Sequence, residues 1–211
     1  MTSTTRTPRA QAATPDPPGI VIRRPTRADA LELARRMFMA GERVDMQVIA
    51  GRLSVSRATM HRWLGTREAL LGEVLGAITT EVLDAVDATV EGNGVERFLN
   101  VSRPLMETYT SMEPVRIFVA REPELALRVI LGERGAVHRS LAEGLQRITA
   151  AKRSPAKQER LEAVLEMIIQ VSTALVCATI AIGDEPQIDR AVEINRALLA
   201  SAQLLPRSAL S

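Results

Sequence analysis

From Thr26 onward, apolar residues recur at spacings of three and four along nearly the whole chain, which is the period of an α-helix. No segment alternates between apolar and polar residues as a half-buried strand would. Aromatic residues make up 2% of the 211 residues, which argues against a sandwich or barrel because strands favour aromatic and β-branched side chains. The sequence therefore predicts an all-α protein of about nine helices.

Breaks in the helical pattern divide the chain into three regions. Residues 1–25 are rich in Thr, Ser, Ala, Pro and Arg, which predicts a disordered basic tail. Residues 26–66 predict a small three-helix domain, and residues 67–211 predict a larger helical domain. In the larger domain we expect helices at about 67–87, 95–110 (kinked or split by Pro104), 124–151 and 155–182, a short helix after Pro114, and a last helix ending near Leu205.

The formal charge is concentrated at one end of the chain. Residues 1–70 hold 12 Lys and Arg against 6 Asp and Glu, a net charge of +6, whereas residues 71–211 hold 15 against 19, a net charge of −4. A basic end on an acidic remainder indicates an anionic partner such as nucleic acid, although a solvated surface can show the same imbalance. Candidates for a DNA-contacting arm in the tail are Arg6, Arg9, Arg23 and Arg24.

Residues 45–64 have the pattern of a helix-turn-helix. Asp45 is placed to cap a short helix, and Ser54 and Val55 break it. Ser56 is placed to cap a second helix that runs to Leu64. The two helices are expected to pack through the apolar residues Ile49, Ala50, Leu53, Val55, Met60 and Leu64. In such a motif the second helix enters the major groove of DNA.

The second helix, read at 100° per residue, turns Met60 and Leu64 inward and presents a polar face opposite them. Arg62 lies at the centre of that face, where a guanidinium can pair with O6 and N7 of guanine. Its flanking residues are small enough to meet thymine methyl groups, and other side chains can donate to phosphates. The predicted DNA-contacting residues are Ser56, Arg57, Ala58, Thr59, His61, Arg62, Trp63 and Arg67.

The segment 48–71 resembles the DNA-binding domain of the TetR family of transcriptional regulators. The resemblance is carried by the Ile49-Ala50 pair, by the turn before Ser56, and by Arg67-x-x-Leu70-Leu71 at the start of the next helix. It covers about residues 26–75 at the level of motifs. It implies a three-helix DNA-binding domain followed by an all-helical domain that binds a ligand and dimerises.

Four positions depart from the family pattern. Ser54 replaces the turn glycine, although Ser tolerates an unusual backbone less well than Gly. His61 replaces a tyrosine, and Arg67 replaces a lysine. Asp45 replaces a Thr or Ser that is often near a phosphate; a carboxylate caps a helix well but repels a phosphate, so that contact is not expected here.

The sequence of residues 61–68 resembles that of one TetR subgroup, the quorum-signal-degradation (QsdR-like) regulators. Those repressors are associated with the catabolism of γ-lactones or acyl-homoserine lactones. The resemblance thus implies a lactone-like effector, which no residue shows independently.

The larger domain is expected to dimerise and to enclose an effector. The predicted helix 155–182 is apolar around much of its circumference, which favours a four-helix bundle between two protomers over simple filling of one core. Phe98, Met106, Tyr109 and Phe118 are candidates to line an apolar cavity, and Arg116 or Arg121 are candidates to orient a polar head group. For each of these residues, core packing or a surface charge remains the alternative.

Several classes of function lack a sequence signal. There is no convincing Ser–His–acid order, no phosphate-binding glycine loop and no metal-ligand spacing, so we expect no catalytic residue, cofactor or metal. Cys177 lies in the most apolar stretch, where a buried inert thiol is expected. The apolar run 167–182 is shorter than the ~20 residues that span a bilayer, so we expect a cytoplasmic protein without a membrane partner.

The sequence therefore predicts a homodimeric, ligand-responsive repressor that binds a double-stranded DNA operator and is released by a small apolar or lactone-like effector. One alternative is an architectural DNA binder without a ligand. The other is an all-α ligand-binding or catalytic protein that does not bind DNA.

Overall fold

The computed structural model describes residues 24–132 and 135–205, and every regular element in these ranges is a helix. The prediction of an all-α fold is confirmed. Residues 1–23, with Arg6, Arg9 and Arg23 of the predicted tail, lie outside the described residues.

Three short helices form the N-terminal part: α1 (Arg27–Met39), α2 (Met46–Arg52) and α3 (Arg57–Leu64). A capping box starts α1, in which the Thr26 hydroxyl accepts from the Asp29 amide and the Asp29 carboxylate accepts from the Thr26 amide. After α1, Gly41 turns the chain with φ +68°, in the left-handed region that favours glycine.

Seven further helices follow. They are α4 (Arg67–Asp87), α5 (Gly94–Ser111), α6 (Glu113–Arg121), α7 (Pro123–Leu131), α8 (Ala136–Ile148), α9 (Pro155–Ala181) and α10 (Ile188–Ser201). Near its C-terminal end, α9 contains a π-helical turn at Ala174–Ala178. Such turns are rare and lie frequently at functional sites.

The prediction of one helix at 124–151 is wrong, because α7 and α8 are separate. Gly132 ends α7, and a Cβ atom there would lie 2.8 Å from the carbonyl oxygen of Arg128. The amide of Gly135 then donates to the Gly132 carbonyl at 2.8 Å before α8 begins. Two glycines with low helix propensity lie at this break. The helix α5 is not split at Pro104, because it continues through this residue to Ser111.

The central helix α4 packs closely on α8. A Cβ atom added at Gly76 would lie 3.0 Å from the Cβ of Ala136, and one at Gly144 would lie 2.0 Å from Leu83. These glycines let the backbones of α4 and α8 approach each other closely.

The apolar core crosses the predicted boundary at residue 66. One cluster of buried residues joins Phe38 and Ile49 of the N-terminal helices to Leu71 of α4 and Val115 of α6. Phe38 and Phe118 meet edge to face, with ring centroids 5.8 Å apart. A second cluster fills the opposite end of the larger domain. The N-terminal helices thus share their core with the helices that follow.

Candidate nucleic-acid interface and effector cavity

The pair α2 and α3 has the internal packing that the sequence predicts. Met60 and Leu64 are 1% and 3% exposed and lie against buried Ile49 and Ala50 in one cluster. The Asp45 carboxylate caps α2 by accepting from the amides at 47 and 48. These contacts fix the angle at which α3 presents its outer face.

The turn between α2 and α3 requires an unusual backbone conformation at Ser54. Ser54 has φ +54°, in the left-handed region that L side chains other than Asn and Asp rarely adopt. The Val55 amide closes the turn by donating to the Ala50 carbonyl at 3.0 Å. After it, the Ser56 hydroxyl accepts from the Thr59 amide at 3.1 Å and caps α3. Serine therefore occupies a glycine position.

The outer face of α3 is exposed and carries cations. Arg57, Ala58, His61 and Arg62 are exposed, and Arg62 makes no hydrogen bond or ion pair within the described ranges. The guanidinium of Arg57 donates to the side-chain oxygen of Gln47 at 2.8 Å. An exposed, unengaged guanidinium at the centre of a helix face is available to base edges in the major groove.

His61 and Trp63 are held more firmly. Nδ1 of His61 lies 3.0 Å from the Gly65 carbonyl oxygen; since a carbonyl only accepts, Nδ1 carries the proton. Donation from Nε2 to a phosphate then requires a second proton on the ring. Trp63 is half-buried against the first core cluster, and its backbone carbonyl accepts from Arg27 at 2.8 Å. Thr59 is also half-buried.

Arg67, at the start of α4, joins Val44 to the junction between α6 and α7. Its two terminal nitrogens donate to the two carboxylate oxygens of Glu122 at 2.6 and 2.7 Å, and Nε donates to the Val44 carbonyl. The side chains are 23% and 18% exposed, and Arg67 holds the pKa of Glu122 below its usual range. All three guanidinium nitrogens therefore have protein partners, unlike those of Arg62.

Other ion pairs tie the N-terminal helices to the rest of the chain. Salt bridges join Arg27 to Glu73 and Arg35 to Glu81, both between α1 and α4. Arg121, at the end of α6, donates to the Gly41 carbonyl at 3.1 Å. The start of α4 and the α6–α7 junction thus form one connected surface beneath the helix-turn-helix.

A cavity of about 90 Å³ lies between six helices, α4, α5 and α7–α10. Apolar side chains dominate its wall, and no charged residue is among the described residues that line it. The lining residues are Thr79, Phe98, Ser102, Leu105, Met106, Tyr109, Ile130, Val137, Leu141, Leu145, Ile168, Ile169, Ser172, Thr173, Val176, Cys177 and Asn195. Part of the wall comes from the π-helical turn of α9.

The structure brings three of the six predicted ligand-binding residues to this cavity. They are Phe98, Met106 and Tyr109, all on α5. Phe118 instead packs against α1, and Arg121 lies with it beside a second, smaller depression near Arg67. Arg116 is exposed on α6 and lines neither site. The helix α6 faces the N-terminal helices, so its residues do not reach the cavity.

Sequence reasoning missed the lining residues on α4, α7, α8, α9 and α10. Most of them are apolar residues on buried helix faces, which carry the same periodic pattern as any core position. Only the polar members, such as Thr79 and Asn195, differ from that pattern. Burial raises the pKa of the Cys177 thiol to about 12, so the thiol stays protonated and unreactive, as its apolar surroundings predict.

The family model for "Tetracyclin repressor-like, C-terminal domain" matches residues 93–200, which is half of the chain. The chain belongs to the TetR family. A solved structure supports this: the structure of the R. erythropolis transcriptional repressor QsdR from the TetR family matches with a TM-score of 0.71 and 27% sequence identity. The match covers 82% of this chain and 94% of QsdR. This likeness to QsdR agrees with the similarity that residues 61–68 predict. No curated protein matches the chain significantly.

Membership defines the general role of this TetR-family chain. Regulators of the family bind DNA operators, dimerise and respond to small-molecule effectors, and they are soluble cytoplasmic proteins. In the described ranges one helix, Pro155–Ala181, is long and apolar enough to cross a membrane by length and composition alone. The core helix of a soluble protein passes the same criterion.

Proposed function

We propose that this chain is a repressor whose two protomers place their α3 helices in successive major grooves, roughly 34–36 Å apart, and that a small effector in the cavity releases the DNA. The observation that carries the proposal is the position of α4. It is one unbroken helix with Arg67 beneath the helix-turn-helix at one end and Thr79 on the cavity wall. At 1.5 Å per residue these two residues are about 18 Å apart.

The DNA contacts are proposed for the outer face of α3. Arg62 supplies the base contact, with Ala58 and Thr59 beside it, while Arg57, His61 and Trp63 set the register on phosphates. The capped N-terminus at Ser56 adds a favourable dipole for a phosphate. Arg67 contributes to DNA binding only if its ion pair with Glu122 opens.

Release requires that the effector bind the DNA-incompetent state more tightly than the DNA-competent state. Because α4 touches both the cavity and the junction, a shift of α4 on effector binding changes the position of the helix-turn-helix relative to its partner. An architectural DNA binder has no need for a cavity of this kind. The cavity therefore favours the ligand-responsive alternative.

The homodimer is proposed to form through α9 and α10. An 18-residue window of α9 has a mean hydropathy of 1.9, yet only 39% of that window is buried within one protomer. Met167 on this helix is 47% exposed. A second copy that covers this apolar face gives the two-fold symmetry that a palindromic operator requires.

A lactone is the proposed effector class, on the similarity to QsdR and on the uncharged wall of the cavity. A lactone carries no charge that this wall would leave unpaired, and its ring is small. A charged effector would require a counter-ion that the described lining residues do not offer.

The test is fluorescence anisotropy with labelled DNA from upstream of the chain's own gene, with scrambled DNA as a control, across a salt series. We expect sequence-specific binding with a steep salt dependence. Arg62→Ala should weaken specific binding by about 10- to 100-fold, the worth of one bidentate base contact. Lys152→Ala removes the same charge from the exposed α8–α9 loop and should have no such effect. Absence of binding to either DNA at low salt would refute the proposal.

A further inference from the structure

The polar groups around the cavity specify the chemistry of its ligand. We infer that the cavity takes a small neutral aliphatic molecule with one hydrogen-bond acceptor, and that the Tyr109 hydroxyl is the group that donates to this acceptor. The inference rests on the proposed function and extends it, since it assigns a specificity-determining residue to the effector site.

The Tyr109 hydroxyl is buried and has no hydrogen-bond partner within the described ranges. Its ring lines the cavity, and the two polar groups beside it, the Thr79 hydroxyl and the Cys177 thiol, belong to residues that line the cavity too. A buried phenol without a partner is uncommon, because leaving such a group unsatisfied is unfavourable. An acceptor on a bound molecule that pairs with this hydroxyl removes that deficit.

Three of the other four hydroxyls around the cavity, those of Thr79, Ser102 and Ser172, donate to protein acceptors; the fourth, on the half-buried Thr173, makes no hydrogen bond within the described ranges. Thr79 donates to the Leu75 carbonyl and Ser102 to the Phe98 carbonyl, each at 2.8 Å. The Ser172 hydroxyl lies 2.8 Å from the side-chain oxygen of Asn195. These groups form internal hydrogen bonds, so a ligand gains little by approaching them. Tyr109 differs from all three because its hydroxyl is fully buried and, although it lies near the Thr79 hydroxyl, makes no hydrogen bond of normal geometry.

The site also selects against charge. No Asp, Glu, Lys, Arg or His appears among the described residues of the wall, so a carboxylate or an ammonium group would be buried without a counter-ion. Burial raises the pKa of Tyr109 well above its ordinary value, which keeps the phenol protonated. The neutral Tyr109 phenol can donate to a carbonyl, ester or ether oxygen of a ligand. An anionic ligand would lack a cation beside it in this cavity.

The size of the cavity sets a further limit. An apolar cavity of about 150 Å³ admits benzene, whereas this one measures about 90 Å³. A ligand of one small ring therefore fills it after modest expansion, and a long chain or a polycyclic molecule requires a larger opening of the helices.

The experiment compares three probes that share a six-membered ring. Cyclohexanone carries a neutral acceptor, methylenecyclohexane has nearly the same shape without one, and cyclohexanecarboxylate is charged. Dissociation constants are measured by titration calorimetry on the full chain without DNA, for the wild type and for Tyr109→Phe. Thr110→Val is the control, because it removes a buried hydroxyl one residue away that donates to the Met106 carbonyl and does not line the cavity.

We expect Tyr109→Phe to weaken cyclohexanone binding by about tenfold, the size of one good hydrogen bond, and to change methylenecyclohexane binding by less than about twofold. Thr110→Val should leave both unchanged, and the wild type should bind the carboxylate at least about tenfold more weakly than the ketone. The melting temperature of unliganded Tyr109→Phe should not fall, because no protein group loses a partner.

Equal effects of Tyr109→Phe on both neutral probes would overturn the inference, as would tight binding of the carboxylate or no binding of any probe. These outcomes are independent of DNA. A chain that binds its operator but fails the probe comparison remains a DNA-binding regulator, whereas a chain that passes the comparison but binds no DNA keeps its site and loses the regulatory role.

Discussion

The helix-turn-helix comes from the single stretch 45–64, whereas the cavity draws its wall from six helices spread over residues 79–195. The N-terminal helices are joined to the rest of the molecule by shared core and by the ion pairs Arg27–Glu73 and Arg35–Glu81 between α1 and α4. The helices around the cavity meet through apolar residues, and the backbones of α4 and α8 lie close together at Gly76. A local motif can thus be identified from adjacent residues, whereas a cavity exists only once distant helices are packed.

The largest effect on stability is expected where α4 meets α8. Gly76→Val places side-chain atoms where a Cβ alone is already 3.0–3.1 Å from atoms of Ala136, and overpacking of this kind costs about 1–3 kcal/mol or more. The matched control is Gly51→Val on α2, where a Cβ meets nothing within 4 Å. Chemical denaturation of both variants measures the difference. Similar losses for the two would show that the cavity end is not packed more tightly than the DNA-binding end.

The second-largest effect on stability is expected at the ion pair between Arg67 and Glu122. Glu122→Gln leaves the partly buried Arg67 with a weaker acceptor, and we expect a loss of about 1–3 kcal/mol at neutral pH. Glu124→Gln, two residues along and exposed, should cost much less.

The stability lost in Glu122→Gln should become smaller as the pH falls. Because the pKa of Glu122 is lower in the folded state, its contribution is present above the ordinary glutamate pKa of about 4.3 and is lost as pH falls through the folded-state value. The free energies of unfolding of the wild type and Glu122→Gln should therefore converge in acid. A gap that stays constant from pH 7 to pH 3 would mean that the ion pair contributes no stability.

The features that the sequence predicts correctly are those set by neighbouring residues. The caps at Asp45 and Ser56 and the inward pair Met60 and Leu64 all depend on neighbouring residues, and the structure agrees with each. The partner of Arg67 lies 55 residues away, which no local pattern indicates. The break between α7 and α8 does have a local signal in the low helix propensity of Gly132 and Gly135, whereas no local pattern marks the π-helical turn in α9.

A smaller effect tests the DNA-binding face through His61. His61 is exposed on the outer face of α3, where it is proposed to contact a phosphate. We expect His61→Ala to weaken binding to operator and scrambled DNA alike by a few-fold, on the order of one phosphate contact. Anisotropy with the two DNAs measures both affinities. An unchanged affinity of His61→Ala for both DNAs would remove His61 from the contact set.

The smallest effect is expected at the turn itself. Ser54→Gly relieves a left-handed backbone at φ +54° and should raise the free energy of unfolding by about 0.5–1 kcal/mol. Ser111→Gly, at the last residue of α5, is the control and should lower it, because glycine is unfavourable in a helix. A destabilised Ser54→Gly would show that the serine side chain makes a contribution that outweighs the strain.

The central claim is that the cavity and the DNA-binding face are coupled through α4. The most direct test titrates a γ-lactone into the preformed complex of protein and labelled operator, with occupancy of the protein followed in parallel by its thermal shift. The account predicts a rise of about 5- to 150-fold in the dissociation constant for DNA as the cavity fills. A lactone that saturates the protein and leaves the affinity for DNA unchanged would contradict it.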